Sequence, residues 1–225
     1  GGPEVRLKLA VADNDLVIPD YAIGVSQLTG PIIYDSLSGL ESSALSGQLF
    51  GREVTLGLSS LSNNGEVETI FVDAEGDADR DELIAWPRQS RFVRDVLAEM
   101  EGDLNYRAKL ILPQSIAASQ NNTLLIDSNL RGVALNLPQP FGKTADEARP
   151  LHIELQLGEQ QVVIGEYGTS VQFDLNIGDD SRNNGLVYIG SYDVPLAPII
   201  DKEAEGIIII GELDVLVLEE WTAFL

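Results

Sequence analysis

Three short stretches of this chain carry residue types that could do chemistry. Gly142-Lys143-Thr144 copies the tail of a phosphate-binding loop. The full loop needs a glycine five residues before Gly142, so that successive backbone N–H groups can wrap the phosphate. Leu137 stands at that position, and Pro138 and Pro140 each remove an N–H from the turn. The run Asp73, Glu75, Asp77, Asp79, Asp81 spaces its carboxylates like a calcium loop. Counted from Asp73, such a loop calls for glycine at 78 and glutamate at 84, where the chain has Ala78 and Ile84; counted from Asp77, its last ligand falls on Arg88. A solvated start to a helix accounts for these acids better. His152 is the single histidine and sits between Leu151 and Ile153 on the polar side of an alternating stretch. A Ser–His–acid triad would have to use it, yet no serine lies in a Gly-x-Ser-x-Gly elbow; Gly24-Val25-Ser26-Gln27 runs on into Leu28. We therefore expect no catalytic residue, no cofactor and no resident metal.

Composition narrows the classes further. The 225 residues hold 36 acids against 14 bases, a net charge of −22. Phosphate binding needs clustered Lys and Arg, so nucleic acid is not expected as a partner. Anionic membrane surfaces attract basic segments and should repel this one. The acidity also keeps a strand-rich chain in solution. Cysteine is absent, which excludes disulfide frameworks and thiolate metal sites. No apolar run approaches the ~18 residues of a membrane span; the densest, GIIIIGELDVLVL at 206–218, is interrupted by acids. No signal peptide opens the chain. Gly1-Gly2 reads as a cloning remnant, ahead of an excised piece whose targeting segment lies elsewhere.

The elements that would have to position any site are strands. Val5, Leu7, Leu9 and Val11 alternate with Arg6, Lys8, Ala10 and Ala12. Leu151, Ile153, Leu155 and Leu157 alternate with His152, Glu154 and Gln156, and Val171, Phe173, Leu175 and Ile177 with Gln172, Asp174 and Asn176. Successive strand side chains point to opposite faces, so each segment has one apolar and one wet face, as in an antiparallel sheet covered on one side. Asn63-Asn64-Gly65 and Asn183-Asn184-Gly185 read as tight turns, because Asn-Gly supplies the positive φ of a type I′ hairpin. Residues 123–143, TLLIDSNLRGVALNLPQPFGK, read as strand, glycine turn, alternating strand and proline punctuation, one unit of a β-meander that continues into LHIELQL.

One stretch breaks the pattern. From Ala78 to Met100 apolar residues fall at helical spacing: Leu83, Ile84 and Trp86, then Phe92, Val93, Val96, Leu97 and Met100. Pro87 splits this into two helices and Gly102 ends the second. Asp77, Asp79, Asp81 and Glu82 suit the positive end of the first helix dipole. A helical pair against a sheet covers part of its apolar face, so 78–101 is expected as a plug or lid and not a separate domain. A faint internal echo links Tyr34-Asp35-Ser36 and Ile126-Asp127-Ser128, each followed by Phe-Gly and a base, Phe50-Gly51-Arg52 and Phe141-Gly142-Lys143.

YDSLSGLESSALSGQLFGREVTLGL at 34–58, GDLNYRAKLILP at 102–113, Leu124 to Arg149 and GELDVLVLEEW at 211–221 carry a resemblance that covers the chain from about Leu16 to Trp221. On these residues the chain resembles the YhdP family of bacterial AsmA-like envelope proteins. The resemblance implies an elongated, curved antiparallel sheet, groove-like, with an apolar inner face. It also implies a non-enzymatic role in moving phospholipid between the inner and outer membranes of a Gram-negative cell. The partners would be phospholipid or fatty acyl chains, and the location periplasmic, with the full-length protein anchored in the inner membrane. Residues 1–225 would then be one β-rich segment of that larger protein. The closing Trp221 matches a tryptophan that recurs after such a strand in the family.

A curved sheet of this kind could shelter acyl chains while head groups stay in water at its open edge. Each sheltered CH₂ contributes ~0.8 kcal/mol, so a long chain wholly sheltered would gain on the order of 10 kcal/mol. From alternation, Leu151, Ile153, Leu155, Val171, Phe173 and Leu175 are the candidates for the groove lining. The same alternation would arise in a β-sandwich filled by its own side chains, which would make this a structural or adhesive module. A carbohydrate-active enzyme would need two facing carboxylates in an aromatic cleft, and aromatics are only 6% of the residues.

Overall fold

The computed structural model describes residues 4–63, 65–87, 90–114, 121–158, 161–177, 184–190 and 206–212. The described residues form one open sheet of twelve strands, not closed into a barrel, and a separate pair of two-residue strands. The strands run β1 (Arg6–Ile18), β2 (Ile23–Asp35), β3 (Gly39–Leu49), β4 (Arg52–Asn63) and β5 (Glu66–Ala78). Two helices follow, α1 (Arg80–Ala85) and α2 (Arg91–Ala98), and then a two-residue strand β6 (Met100–Glu101). The sheet resumes with β7 (Leu104–Pro113) and β8 (Asn122–Ser128), departs through β9 (Ala134–Leu135), and returns with β10 (Leu151–Leu157). It finishes with β11 (Gln161–Tyr167), β12 (Val171–Ile177), β13 (Asn184–Ile189) and β14 (Gly206–Gly211). Sequence neighbours are sheet neighbours throughout, apart from β6 and β9, which pair with each other off the sheet. An open sheet with one apolar face, and not a sandwich, is therefore the architecture.

Local sequence explains most of this. Asn63 pairs with Glu66, and Gly65 takes φ +85°, so the first Asn-Gly signal does close a two-residue hairpin. Asp79 caps α1, its Oδ1 accepting from the N–H groups of Asp81 (2.9 Å) and Glu82 (3.3 Å), while Asp81 and Glu82 fill the first turn. Ser90 caps α2 through Val93 N–H, and Pro87 lies between the helices. Ala78 closes β5 and Met100 opens β6, so the helices are shorter than the 78–101 interval. Gly102 (φ +98°) turns the chain after β6; Ala98 is the last residue of α2.

Three expectations are corrected. The stretch VALNL at 133–137 supplies only the two residues of β9; β8 pairs directly with β10, and residues 129–149 cross the apolar face as a strap. Leu130 (φ 50°), Gly132 (φ 87°), Pro138 and Pro140 interrupt extended backbone there. Asn184 and Gly185 belong to β13, paired with Asn176 and Leu175, so the second Asn-Gly is strand and the connection lies at 178–183, outside the described residues. β14 runs parallel to β13, the one parallel pair among the described residues in an otherwise antiparallel sheet. The echo is half structural: Asp35 and Asp127 both sit at strand ends, but Phe50-Gly51 is a hairpin turn and Phe141-Gly142 belongs to the strap. Residues 213–225, including Trp221, lie outside the described residues.

The sheet curls across its long axis. Between β2 and β8 lie five strand spacings, about 24 Å on a flat sheet. Yet Tyr21, in the short turn Pro19–Tyr21 before β2, shares a hydrogen bond with the Asn122 side chain at the start of β8. The tip of the β1–β2 hairpin is thus folded over the middle of the apolar face.

Candidate functional site: an apolar path across the inner face

Directly paired residues in antiparallel strands point to the same side. Following the register from strand to strand therefore draws rows across the sheet, perpendicular to its strands. One row reads Leu58, Val72, Leu110, Leu124, Leu155, Val163, Leu175. The next reads Leu56, Ala74, Ala108, Ile126, Ile153, Gly165, Phe173, Val187. From β4 onward neither row contains a polar side chain; on β3 the register continues the first row with Ser42 and the second with Leu45. Six strand spacings make the first row about 29 Å long. At Gly165 the missing side chain leaves space that the Phe173 ring occupies: a Cβ there would lie 2.6 Å from the ring.

The opposite face carries charge in matching rows. Glu75, Arg107, Asp127, His152 and Glu166 stand side by side on successive strands. Arg107 meets Glu75 at 3.3 Å, Lys109 meets Asp73 at 3.4 Å, and His152 Nδ1 meets Asp127 at 2.7 Å. Lys109 also lies 5.4 Å over the Phe71 ring. The acids that resembled a calcium loop are accounted for here: Asp73 and Glu75 face cations on β7, and Asp79 caps α1 while meeting Arg52 at 3.0 Å. His152 is a solvent-facing member of this ladder. Among the described residues no group of three or more His, Asp or Glu is placed to hold a metal ion.

All six groove candidates named from alternation lie on the apolar face, in three adjacent rows. Val171 and Leu175 are buried in a packed cluster with Met100, Leu130, Val133, Tyr167 and Ile189; Leu151 and Phe173 pack against it. Ile153 and Leu155 stay half-buried outside that cluster. Alternation missed Leu58, Val72, Leu110 and Leu124, which continue the path toward β4; the signal for Leu110 and Leu124 was present in the strand-like stretches that contain them.

Two covers lie on the path. The strap is fastened from inside by Lys143, whose Nζ donates to the carbonyls of Leu130 (2.8 Å), Val133 and Thr144 (2.9 Å). Only 6% of this lysine is exposed, and burial pushes its ammonium below the usual lysine range. Arg149 adds a second fastening, donating to the carbonyls of Pro140 (2.8 Å) and Gly142 (3.1 Å) and stacking 5.0 Å from the Tyr167 ring. The Tyr167 hydroxyl donates in turn to Phe141 O (2.6 Å), and burial raises its pKa. The phosphate-loop lookalike is thus a rivet: Lys143 binds carbonyl oxygens of its own loop.

The other cover is the helical pair. Leu83 of α1 packs against the cluster of Val25, Leu28, Leu45, Val54, Leu56, Ala78 and Tyr106, while Val93 and Leu97 of α2 pack against the strap-side cluster. Beyond α1, the Trp86 indole N–H donates to Tyr21 O (3.0 Å) and Ala22 O (3.2 Å), and its ring meets Phe50 edge-on at 6.0 Å. Between Trp86, Tyr21 and Ile23 above and Leu110, Leu124 and Leu157 below remains a cavity of about 80 Å³.

No helix among the described residues is long and apolar enough to cross a membrane. The family model described as YhdP protein matches residues 2–225. No curated protein and no solved structure matches the chain. The chain belongs to the YhdP family.

Proposed function

We propose that this YhdP-family chain is a non-enzymatic segment of a lipid conduit in the bacterial envelope, and that the apolar rows of its inner face shelter phospholipid acyl chains. One observation carries the reading: two rows without a polar side chain from β4 onward run along the long axis of an open sheet whose other face is charged. A scaffold with no cargo needs apolar side chains where something packs on them. Here Leu58, Val72, Leu124 and Leu155 are only half-buried, with no second large sheet above them among the described residues. The four strand spacings from β4 to β10 give about 19 Å of such a path, along which a stretch of extended acyl chain can lie across the strands. Sheltering contributes ~0.8 kcal/mol per methylene, and partial shelter leaves the chain free to slide. The strap fills the face beside β11–β13, so that portion serves as scaffold, and the path runs beside β4–β10, covered in part by the helical pair and the tip of the β1–β2 hairpin. The acidic outer face repels anionic bilayer surfaces, which leaves acyl contact as the basis of recognition. A periplasmic location, with the full-length protein anchored in the inner membrane, follows from the same proposal.

Mass spectrometry of organic extracts from the purified chain tests it, with a mock-purified acidic β-protein as control. Near-stoichiometric phospholipid is expected, lost when Leu124 and Leu155 are both changed to Asp. A folded, lipid-free chain would overturn the reading and leave a structural module.

A further inference from the structure

The apolar path is continuous in register but not in space. At Leu110, Leu124 and Leu157 it passes beneath Trp86 and Tyr21, and the cavity left there is about 80 Å³. A cavity of ~150 Å³ takes one benzene ring, so the space left beneath this cover is small and shelters no more than a short stretch of an acyl chain. Moving a cover would widen the path here, and the fastenings of the two covers identify which can move.

We propose that α1, Trp86 and α2 form a gate over the path, hinged where they leave and rejoin the sheet and latched by the Trp86 indole. This inference rests on the acyl-chain reading above. At the hinge, Arg52 grips Asp103 (2.9 Å) and Asp79 (3.0 Å), and Arg80 donates to Met100 O (3.0 Å), tying the two roots together. Neither helix has a buried residue. The latch is one indole N–H shared between the Tyr21 and Ala22 carbonyls. Those carbonyls belong to the tip of the β1–β2 hairpin, which the Tyr21–Asn122 contact holds over the opposite side of the path. Closing the gate therefore bridges the two sides of the curled sheet; opening it exposes Leu110, Leu124 and Leu157 together. Segments with few buried contacts open locally well below the free energy of global unfolding.

Two measurements on the whole chain test the gate. Amide hydrogen exchange of the unliganded protein should show α1 and α2 exchanging well ahead of β7 and β8. Trp86→Phe keeps a ring against Phe50 but removes the N–H, and loss of one such hydrogen bond should raise the open population about fivefold. Apparent affinity scales with the competent fraction, so cis-parinaric acid should bind this variant about fivefold more tightly. If α1 and α2 exchange in one step with β7, the gate is overturned whatever binds. If Trp86→Phe and the unaltered chain take up cis-parinaric acid equally, the path stands open and only the gate fails. If neither takes it up although α1 and α2 open, the acyl-chain reading falls and the gate with it.

Discussion

The strap of residues 129–149 and the helical lid of α1 and α2 lie on the same apolar face but are held in opposite ways. The strap hangs on groups withdrawn from water: Lys143 saturated by three carbonyls, Val133 fully buried, and Arg149 wedged between two carbonyls and a tyrosine ring. The lid packs through the half-buried Leu83, Val93 and Leu97, and its polar fastenings sit at its margins, with a partly exposed arginine between two carboxylates at one end and a single indole N–H at the other. A charge-assisted bond out of water is stronger than a screened one, and a buried group left without its partner costs its full desolvation. The strap is therefore part of the fold, and the lid is a cover that the fold carries.

The sharpest way to break this comparison is Lys143→Met, which keeps the length of the side chain and takes the ammonium from three carbonyls; Leu130 O and Thr144 O keep the N–H groups of Val133 and Glu147, and Val133 O loses the donor that Lys143 supplied. We expect a loss of about 3 kcal/mol in denaturant unfolding and proteolytic cleavage appearing within 129–149. A loss below about 1 kcal/mol would mean that Leu130 and Val133 hold the strap by packing alone. The lysine also marks the strap by its pH response. Its folded pKa lies below the 10.5 of the unfolded side chain, so the unfolded chain binds more protons in that window. Its contribution to stability therefore rises with pH up to about 10.5, and Lys143→Met removes that rise.

How much of this was legible beforehand differs between the two covers. The lid was readable because Leu83, Val93 and Leu97 recur at helical spacing and Pro87 marks the break, and these signals are local. The strap was not. Val133, Leu135 and Leu137 alternate as a strand does, and what keeps them off the sheet is Lys143 reaching back to carbonyls ten and thirteen residues away. The inner-face rows were readable strand by strand from Leu151–Leu157 and Val171–Ile177, because a period of two survives any topology. Their alignment into one path needed the register, which no single strand specifies. Tyr21, Trp86, Leu110 and Leu157 meet at the constriction only because the sheet curls, and curl leaves no trace in alternation. The parallel β13–β14 pair likewise depends on how the chain returns to the sheet, beyond what GIIIIG states about itself.

A smaller effect, of opposite sign, belongs to the lid side. Tyr106 packs in the cluster that α1 covers, and its buried hydroxyl has no hydrogen-bond partner among the described residues. Burial, with Asp77 adding to it, pushes its pKa up to about 12 from 10.0. The folded chain thus keeps a proton that the unfolded chain loses, so stability is full below pH 10.0 and falls as pH rises to about 12. Tyr106→Phe should abolish that alkaline loss. At neutral pH it should stabilise by about 1 kcal/mol, since it removes an unpaired polar group from an apolar site. A destabilised phenylalanine variant would show that the hydroxyl is satisfied, and would place a polar contact inside the lid-side cluster. The two alkaline responses thus run in opposite directions, and each disappears with its own substitution.

The smallest effect is expected at the hinge. Arg52 is partly exposed, and its pKa is raised first by the side-chain hydrogen bond to Asp103 and then by the charges of Asp103 and Asp79. Water and salt screen such a cluster, so Arg52→Gln should leave the unfolding midpoint nearly where it was. What it should change is local: amides of α1 and α2 should exchange faster, and raising the salt concentration on the unaltered chain should reproduce part of the same loosening. The strap, with its charge out of reach of counterions, should not respond to salt at all. Equal salt sensitivity in 129–149 and in the helices would erase the distinction between a fixed cover and a movable one. A salt response confined to the helices would locate the movable element over the cavity of about 80 Å³ between Trp86, Tyr21 and Leu124.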